Sequence, residues 1–197
     1  MWTLKKPELI PVDFPPLVTF GNIFTREECE EIIHIGQTLF TKHEAILQDQ
    51  QAEVSIRKGH VSWIDPKVET THWIYQKLTD AVIAVNAGNW QFDLDYIENL
   101  QFTMYDEPLD NYDVHIDMLI TKGQQLPRKL SFSLQLTDPS EYTGCELELI
   151  AGPKSFIAPK EQGSITFFPS VLLHRVTAIT EGKRYSLVGW VAGPRFR

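Results

Sequence analysis

Residues 90–105, WQFDLDYIENLQFTMY, mark the point at which the spacing of apolar side chains changes from a helical period to an alternating one. Upstream, Thr25 with Glu28 three residues on is a capping box, and Cys29, Ile32, Ile33, Gly36 and Phe40 follow at helical spacing. A second helix is predicted over 70–85, with Ile74, Leu78, Ala81, Val82 and Val85 on one face and Asn86, Gly88 and Asn89 closing it. Downstream, short runs of β-branched and aromatic residues predict strands at 96–105, 114–118, 129–136, 146–150, 164–168, 174–179 and 184–191. Gly123, Asp138-Pro139, Gly152-Pro153 and Gly182 fall between them as turn residues. An earlier strand pair is expected within 53–64. Pro7, Pro11, Pro15 and Pro16 keep the first residues extended. Helices followed by many short strands predict an α+β chain, mainly β, whose larger part is a sandwich or barrel.

The 197 residues suffice for one domain with a continuous core. We expect a single domain over 1–197: an extended segment at 1–24, helical support with the early strand pair at 25–90, and a core barrel at 91–197. With 43% apolar and 22% charged residues the chain reads as globular, not disordered. Its net charge of −8 argues against nucleic acid as a partner, because such binding needs a basic face. The longest plain apolar stretch, AVIAV at 81–85, is far too short for a membrane span, so no membrane partner is expected. The first residues carry lysines without an apolar run after them, and Cys29 and Cys145 form neither a CxxC pair nor a disulfide framework. The expectation is a cytoplasmic protein with free thiols. Nothing in the sequence specifies an oligomeric state.

Phosphate loops, GxGxxG, HExxH and GxSxG motifs are all missing from the sequence, which leaves a histidine and carboxylate question. His115-Ile116-Asp117 falls in a predicted strand, where positions i and i+2 point to one face and can meet one ion. His174 opens a later strand, after GSITFFPS at 163–170. Two imidazoles and one carboxylate are the ligand set of a facial triad, which leaves open positions on the metal and suits non-haem Fe(II). Arg184 lies ten residues after His174, on the next strand. In a site of this type a buried cation clamps the far carboxylate of a dicarboxylate cosubstrate, and the planar guanidinium fork does this well. Lys183 competes for the role. Strand parity puts the two on opposite faces, both fairly apolar, and does not choose between them; Arg184 is preferred.

The series Tyr105, His115-Ile116-Asp117, RKLSFSLQLTDP at 128–139, Gly144-Cys145-Glu146-Leu147, Phe168-Pro169-Ser170, His174-Arg175-Val176, Gly182-Lys183-Arg184 and Trp190 resembles the Fe(II)/2-oxoglutarate dioxygenases. It is most similar to their prolyl 4-hydroxylase-like branch, which includes the PKHD-type hydroxylases. The resemblance extends from Arg57-Lys58, through Trp63 and Asn99-Leu100-Gln101, to the C-terminus. Two departures stand out. A family Gly-Gly-Glu-Leu stretch reads Gly144-Cys145-Glu146-Leu147 here, and Asp106-Glu107 replaces a frequent Pro-Gly.

The resemblance implies a double-stranded β-helix (jelly-roll) barrel with supporting N-terminal helices. It implies Fe(II) held by His115, Asp117 and His174, with Arg184 on the distal carboxylate of 2-oxoglutarate and Tyr105 and Gln135 beside that cosubstrate. O2 is the second cosubstrate, and ascorbate would serve as reductant. The implied reaction hydroxylates an unactivated C–H bond and releases succinate and CO2. A prolyl residue in a peptide or protein is the leading substrate, with Arg57 and Trp190 against it. A free amino acid or other small molecule is the alternative, and a non-catalytic binding module on the same fold is a weaker third reading. The neutral readings are also plain: Arg57, Lys58 and His60 as a solvated basic loop, Trp63 and Trp190 as core aromatics, and Asp106, Glu107, Asp110 and Asp113 as a solvated acidic loop. His34, His43 and His72 fall on predicted helices and receive no catalytic role.

Overall fold

The change of period seen in the sequence is the boundary between a helical layer and a β-structure in the computed structural model, which describes residues 14–43, 57–118 and 126–195. In chain order the elements are β1 (Val18–Phe20), α1 (Arg26–His43), β2 (Arg57–Lys58), β3 (His60–Ile64), α2 (His72–Gly88), β4 (Tyr96–Ile97), β5 (Leu100–Tyr105), β6 (Asn111–His115) and β7 (Arg128–Gln135). There follow β8 (Tyr142–Gly144), β9 (Leu147–Ala151), β10 (Lys154–Ile157), β11 (Ile165–Pro169), β12 (Leu173–Val176), β13 (Ile179–Gly182) and β14 (Arg184–Ala192). The extended segment expected at 1–13, the start of the strand pair at 53–56 and the turn at Gly123 lie outside the described residues.

The helices start and stop for local reasons. At α1 the Glu28 amide donates to Thr25 Oγ1 at 3.2 Å and the Thr25 amide donates to Glu28 Oε2 at 2.8 Å, closing the expected capping box. The same Glu28 carboxylate accepts from Lys77 Nζ at 2.6 Å, which ties α1 to α2. The five apolar positions predicted on α2 are all buried. Its end is capped by Asn89 Nδ2, which donates to the Val85 carbonyl at 2.8 Å.

A larger sheet runs in the order β1-β11-β7-β14-β5-β3, with β4 also on β14, and a smaller one runs β10-β9-β12-β6-β2. All pairs are antiparallel. Alternation gives the larger sheet two chemically distinct faces. Leu100, Phe102, Leu130, Phe132, Leu134, Ile165, Phe167 and Leu187 point outward and form one core with Cys29, Ile32, Ile74, Leu78 and Val85 of the helices. The helix sits very close: a Cβ at Gly36 would lie 2.3 Å from the Phe102 ring. The opposite faces of the two sheets enclose a second, smaller core of Tyr105, Tyr142, Cys145, Leu147, Leu149, Phe168, Val176 and Ile179. This is the jelly-roll barrel with helices supporting one side.

Three expectations need correction. The early strands do not pair with each other: β2 pairs with β6 in the smaller sheet, whereas β3 pairs with β5 in the larger one. The chain steps between sheets at Gly59, whose φ of 132° and whose closeness to Met104 O and the Tyr105 ring demand glycine. The strand expected at 114–118 ends at His115, because the amides of Asp117 and Met118 both turn to the Ser170 carbonyl, at 3.1 and 2.9 Å. The strand expected at 174–179 is divided into β12 and β13: the Thr177 amide still follows the β9 register onto Glu146 O, and the break falls opposite Cys145, whose φ is 51°. β1, β8 and β10 were not anticipated; each is short and borders turns.

Candidate active site

Between the sheets the cavity wall is polar on one side. Gln101, Thr103 and Tyr105 of β5 alternate inward with Arg184, Ser186, Val188 and Trp190 of β14, and all of them line the cavity. From the smaller sheet come Tyr112, His115 and His174. The same alternation that buries Phe102 and Leu187 under the helices therefore aims hydroxyls, amides and a guanidinium into the barrel.

His115 and His174 are register partners across β6 and β12, and their rings lie 4.2 Å apart. Asp117 joins them from beyond the end of β6: its Oδ1 is 3.7 Å from His115 Nε2 and its Oδ2 is 3.3 Å from His174 Nε2. One donor atom from each residue falls within 4.8 Å of the other two. Each imidazole is oriented by the carbonyl two residues earlier. His115 Nδ1 lies 2.7 Å from Asp113 O, and His174 Nδ1 lies 2.9 Å from Leu172 O. A carbonyl only accepts, so each Nδ1 carries a proton, and Nε2 is the ring nitrogen that faces the shared centre. Tyr112 stacks on His115 at 3.6 Å and Phe168 packs against His174 at 4.7 Å, which fixes both ring planes. Burial works to raise the Asp117 pKa, but the hydrogen bond and charge of His174 and the hydrogen bond from Ser131 outweigh it and hold the carboxyl below its usual range. It is an acceptor-only carboxylate at neutral pH.

Arg184 is only 1% exposed, and among the described residues no carboxylate pairs with it. Its Nε donates to Gln135 Oε1 at 3.1 Å and its Nη1 lies 3.8 Å from Cys145 Sγ. Tyr105 is its register partner, with the ring 5.8 Å from the guanidinium carbon. Burial works against the charge, yet Cys145, Tyr142 and Tyr105 more than offset it and the pKa is raised, so the group stays cationic. Burying an unpaired guanidinium costs several kcal/mol, which an anionic ligand would offset. Lys183 does not compete: it is exposed and bonds Asp106 Oδ2 at 3.2 Å.

Further groups of the site were not singled out from sequence. Thr103 Oγ1 and Tyr142 Oη are buried without a hydrogen-bond partner among the described residues. Ser131 Oγ donates to Asp117 Oδ2 at 2.8 Å. Serine, threonine and tyrosine hydroxyls carry no spacing signal of their own; only inward parity on β5 and β7 could have marked two of them. Cys145, the departure from a Gly-Gly stretch, occupies φ of 51°, a left-handed conformation that glycine takes more easily. Burial pushes its thiol pKa up, against the pull of Arg184.

Trp190 forms part of the cavity wall, braced by the Arg128 guanidinium 3.9 Å from its ring and by Trp63 at 6.1 Å. Arg128 is itself held by Glu98 through two hydrogen bonds, of 2.9 and 2.7 Å. The backbone of Arg57 pairs with Tyr112, next to the histidine strand, while its side chain lies outside the described residues. The acidic run is not a solvated loop throughout: Asp110 is buried and its Oδ2 accepts from the Asp106 and Glu107 amides, so it builds the turn. His34 and His72 are on the helices, away from the cavity.

Two imidazole nitrogens and a carboxylate around one point can hold a metal ion, and the buried guanidinium in the same cavity can receive an anion. Comparison with known proteins gives the family. Residues 100–192 match the model of the 2OG-Fe(II) oxygenase superfamily. A PKHD-type hydroxylase of Crocosphaera subtropica is 33% identical over 189 residues, covering 89% of this chain and 78% of that protein. One from Hyphomonas neptunium is 42% identical over 84 residues, covering 42% of this chain and 38% of the relative. The crystal structure of a Pseudomonas putida prolyl-4-hydroxylase superposes with a TM-score of 0.69 at 20% identity, covering 90% of this chain and 92% of that one. A prolyl hydroxylase from Trichoplax adhaerens, in complex with a hypoxia inducible factor oxygen degradation domain peptide fragment, gives 0.68 at 14%, covering 90% and 83%. The chain belongs to the PKHD-type hydroxylases of the 2OG-Fe(II) oxygenase superfamily. It is an oxidoreductase whose reaction uses Fe(II), 2-oxoglutarate and O2.

Proposed function

We propose that this enzyme hydroxylates a prolyl residue in a peptide or protein, with His115, Asp117 and His174 holding Fe(II) and Arg184 holding the distal carboxylate of 2-oxoglutarate. The observation that carries the reading is the unpaired Arg184 guanidinium in the same cavity as the His-Asp-His cluster. When bound, iron with 2-oxoglutarate and O2 supplies the oxidising power for an unactivated C–H bond, with succinate and CO2 as coproducts.

The protein's own residues orient and exclude. Nδ1 of each histidine is committed to a carbonyl, which leaves Nε2 for the metal. Gln135 turns the Arg184 fork by accepting from Nε, and the Tyr105 and Thr103 hydroxyls supply hydrogen bonds to the cosubstrate. Leu147, Phe168 and Val176 keep the opposite wall dry. Trp190 offers an aromatic face to substrate, and Arg57 lies on the strand beside the histidines. The prolyl assignment is supported by structural neighbours that are themselves prolyl hydroxylases. We take the chain to act as one domain, in the cytoplasm, with no nucleic-acid partner. Among the described residues no helix is long and apolar enough to cross a membrane.

The test is succinate release from 2-oxoglutarate under air with Fe(II), with and without a pool of proline-containing peptides. The expected result is stimulation by the pool that disappears in Asp117→Ala, with the added oxygen located by mass spectrometry. Succinate release that the pool leaves unchanged would turn the assignment to a free amino acid or other small molecule.

A further inference from the structure

We infer that Ser131 and Ser170 are positioning residues for the metal site: their hydroxyls fix the orientation of the Asp117 carboxylate through Oδ2. The inference rests on the reading of Asp117 as a metal ligand and goes beyond it, because it assigns two residues outside the ligand set to holding that ligand in place.

Both serines are fully buried. Ser131 Oγ donates to Asp117 Oδ2 at 2.8 Å, and Ser131 Oγ and Ser170 Oγ are 2.8 Å apart. An ionised carboxylate only accepts, so the single Ser131 proton points to Asp117 and the Ser170 proton must point to Ser131. The chain of hydroxyls therefore has one direction, and each bond polarises the next. Ser170 does more than donate. Its carbonyl accepts from the amides of Asp117 and Met118, at 3.1 and 2.9 Å, and its own amide donates to Lys129 O at 3.0 Å. One serine thus ties together β7, the segment that carries Asp117 and the turn that leads into β12 and His174.

The consequence is a carboxylate that cannot pivot. Oδ2 is fixed on Ser131 while lying 3.3 Å from His174 Nε2, and Oδ1 lies 3.7 Å from His115 Nε2. Turning the carboxylate away from the two imidazoles would break a buried hydrogen bond and strand a buried hydroxyl.

The experiment uses the full chain and Co(II) as the probe, without cosubstrates, measuring affinity by calorimetry and coordination by the absorption spectrum of the complex. Ser131→Ala is expected to bind Co(II) roughly tenfold to a hundredfold more weakly, the range seen for lost outer-shell partners, with an altered spectrum. Ser131→Thr, which keeps the hydroxyl, restores both. Circular dichroism of the metal-free variants confirms that they are folded. Should Ser131→Ala not fold, Ser170→Ala reads the same network, with a loss of several-fold expected. Wild-type affinity and spectrum in the folded variant overturn the inference. Tight Co(II) binding by Asp117→Ala would instead overturn the metal reading beneath it, a separately visible failure.

Discussion

His115 and His174 stand opposite one another on adjacent antiparallel strands, 59 residues apart in sequence and 4.2 Å apart ring to ring. Their Nε2 atoms converge because each Nδ1 is bonded to the carbonyl two residues earlier on its own strand. Removing either ring should therefore unmake the proposed metal site without unmaking the sheet, whose ladder is backbone. His115→Ala and His174→Ala are expected to lose retained iron and at least a thousandfold of activity while changing the melting temperature by only a few degrees. Metal analysis of the purified variants, beside their thermal melts, checks this.

Arg184 makes the opposite bargain between stability and function. A buried cation without a carboxylate destabilises the ligand-free fold, and Met fills a similar volume without charge. Arg184→Met should keep or raise the melting temperature of the ligand-free protein and weaken 2-oxoglutarate at least a hundredfold, the scale of a lost bidentate charge pair. Thermal melts with and without 2-oxoglutarate separate the two effects, and a variant that 2-oxoglutarate still stabilises as it does the wild type would count against the assignment.

The buried Tyr142 hydroxyl beside Arg184 gives a milder prediction. Tyr142→Phe should raise the KM for 2-oxoglutarate by about three- to thirtyfold, one hydrogen bond to a charged group, with little change in kcat. Initial-rate kinetics at saturating substrate decide it.

Burial pushes the Cys29 thiol pKa up to about 12 and the Tyr75 phenol to about 12. The folded protein then holds the thiol proton that the unfolded chain releases near pH 8.5. Stability from Cys29 is complete below that pH and is lost as pH rises toward 12. By pH 10 the loss is about 1–2 kcal/mol. Urea unfolding from pH 7 to 10 should show this decline, and Cys29→Ala should flatten it from a lower starting stability.

Close approach of α1 to the larger sheet yields a structural prediction. The Cβ of Gly36→Ala would fall 2.3 Å from the Phe102 ring, so the helix must shift. A loss of about 1–3 kcal/mol is expected from overpacking, read by denaturant titration.

Much of this was legible in the chain itself. The capping box at Thr25 and Glu28, the apolar face of α2 and the alternation from residue 96 onward are local regularities, enforced by backbone geometry within a few residues. The residues of the candidate site were named by the resemblance too, and His115, Asp117, His174 and Arg184 do share one cavity. The choice between Arg184 and Lys183 was not. Both faces of that strand are apolar enough to be buried, and only the helical layer over Leu187 decides which face looks into the barrel. Nor did the spacing of β2 and β3 disclose that they belong to different sheets. The serines behind Asp117 were equally silent, since a hydroxyl acquires its role from what lies across the fold. The sequence determined the elements and the chemical groups available to them. Tertiary structure decided which side of each strand became interior, and so which hydroxyls, imidazoles and cation share one cavity. Those choices depend on pairings between residues far apart in the chain, and burial against a second layer settles them.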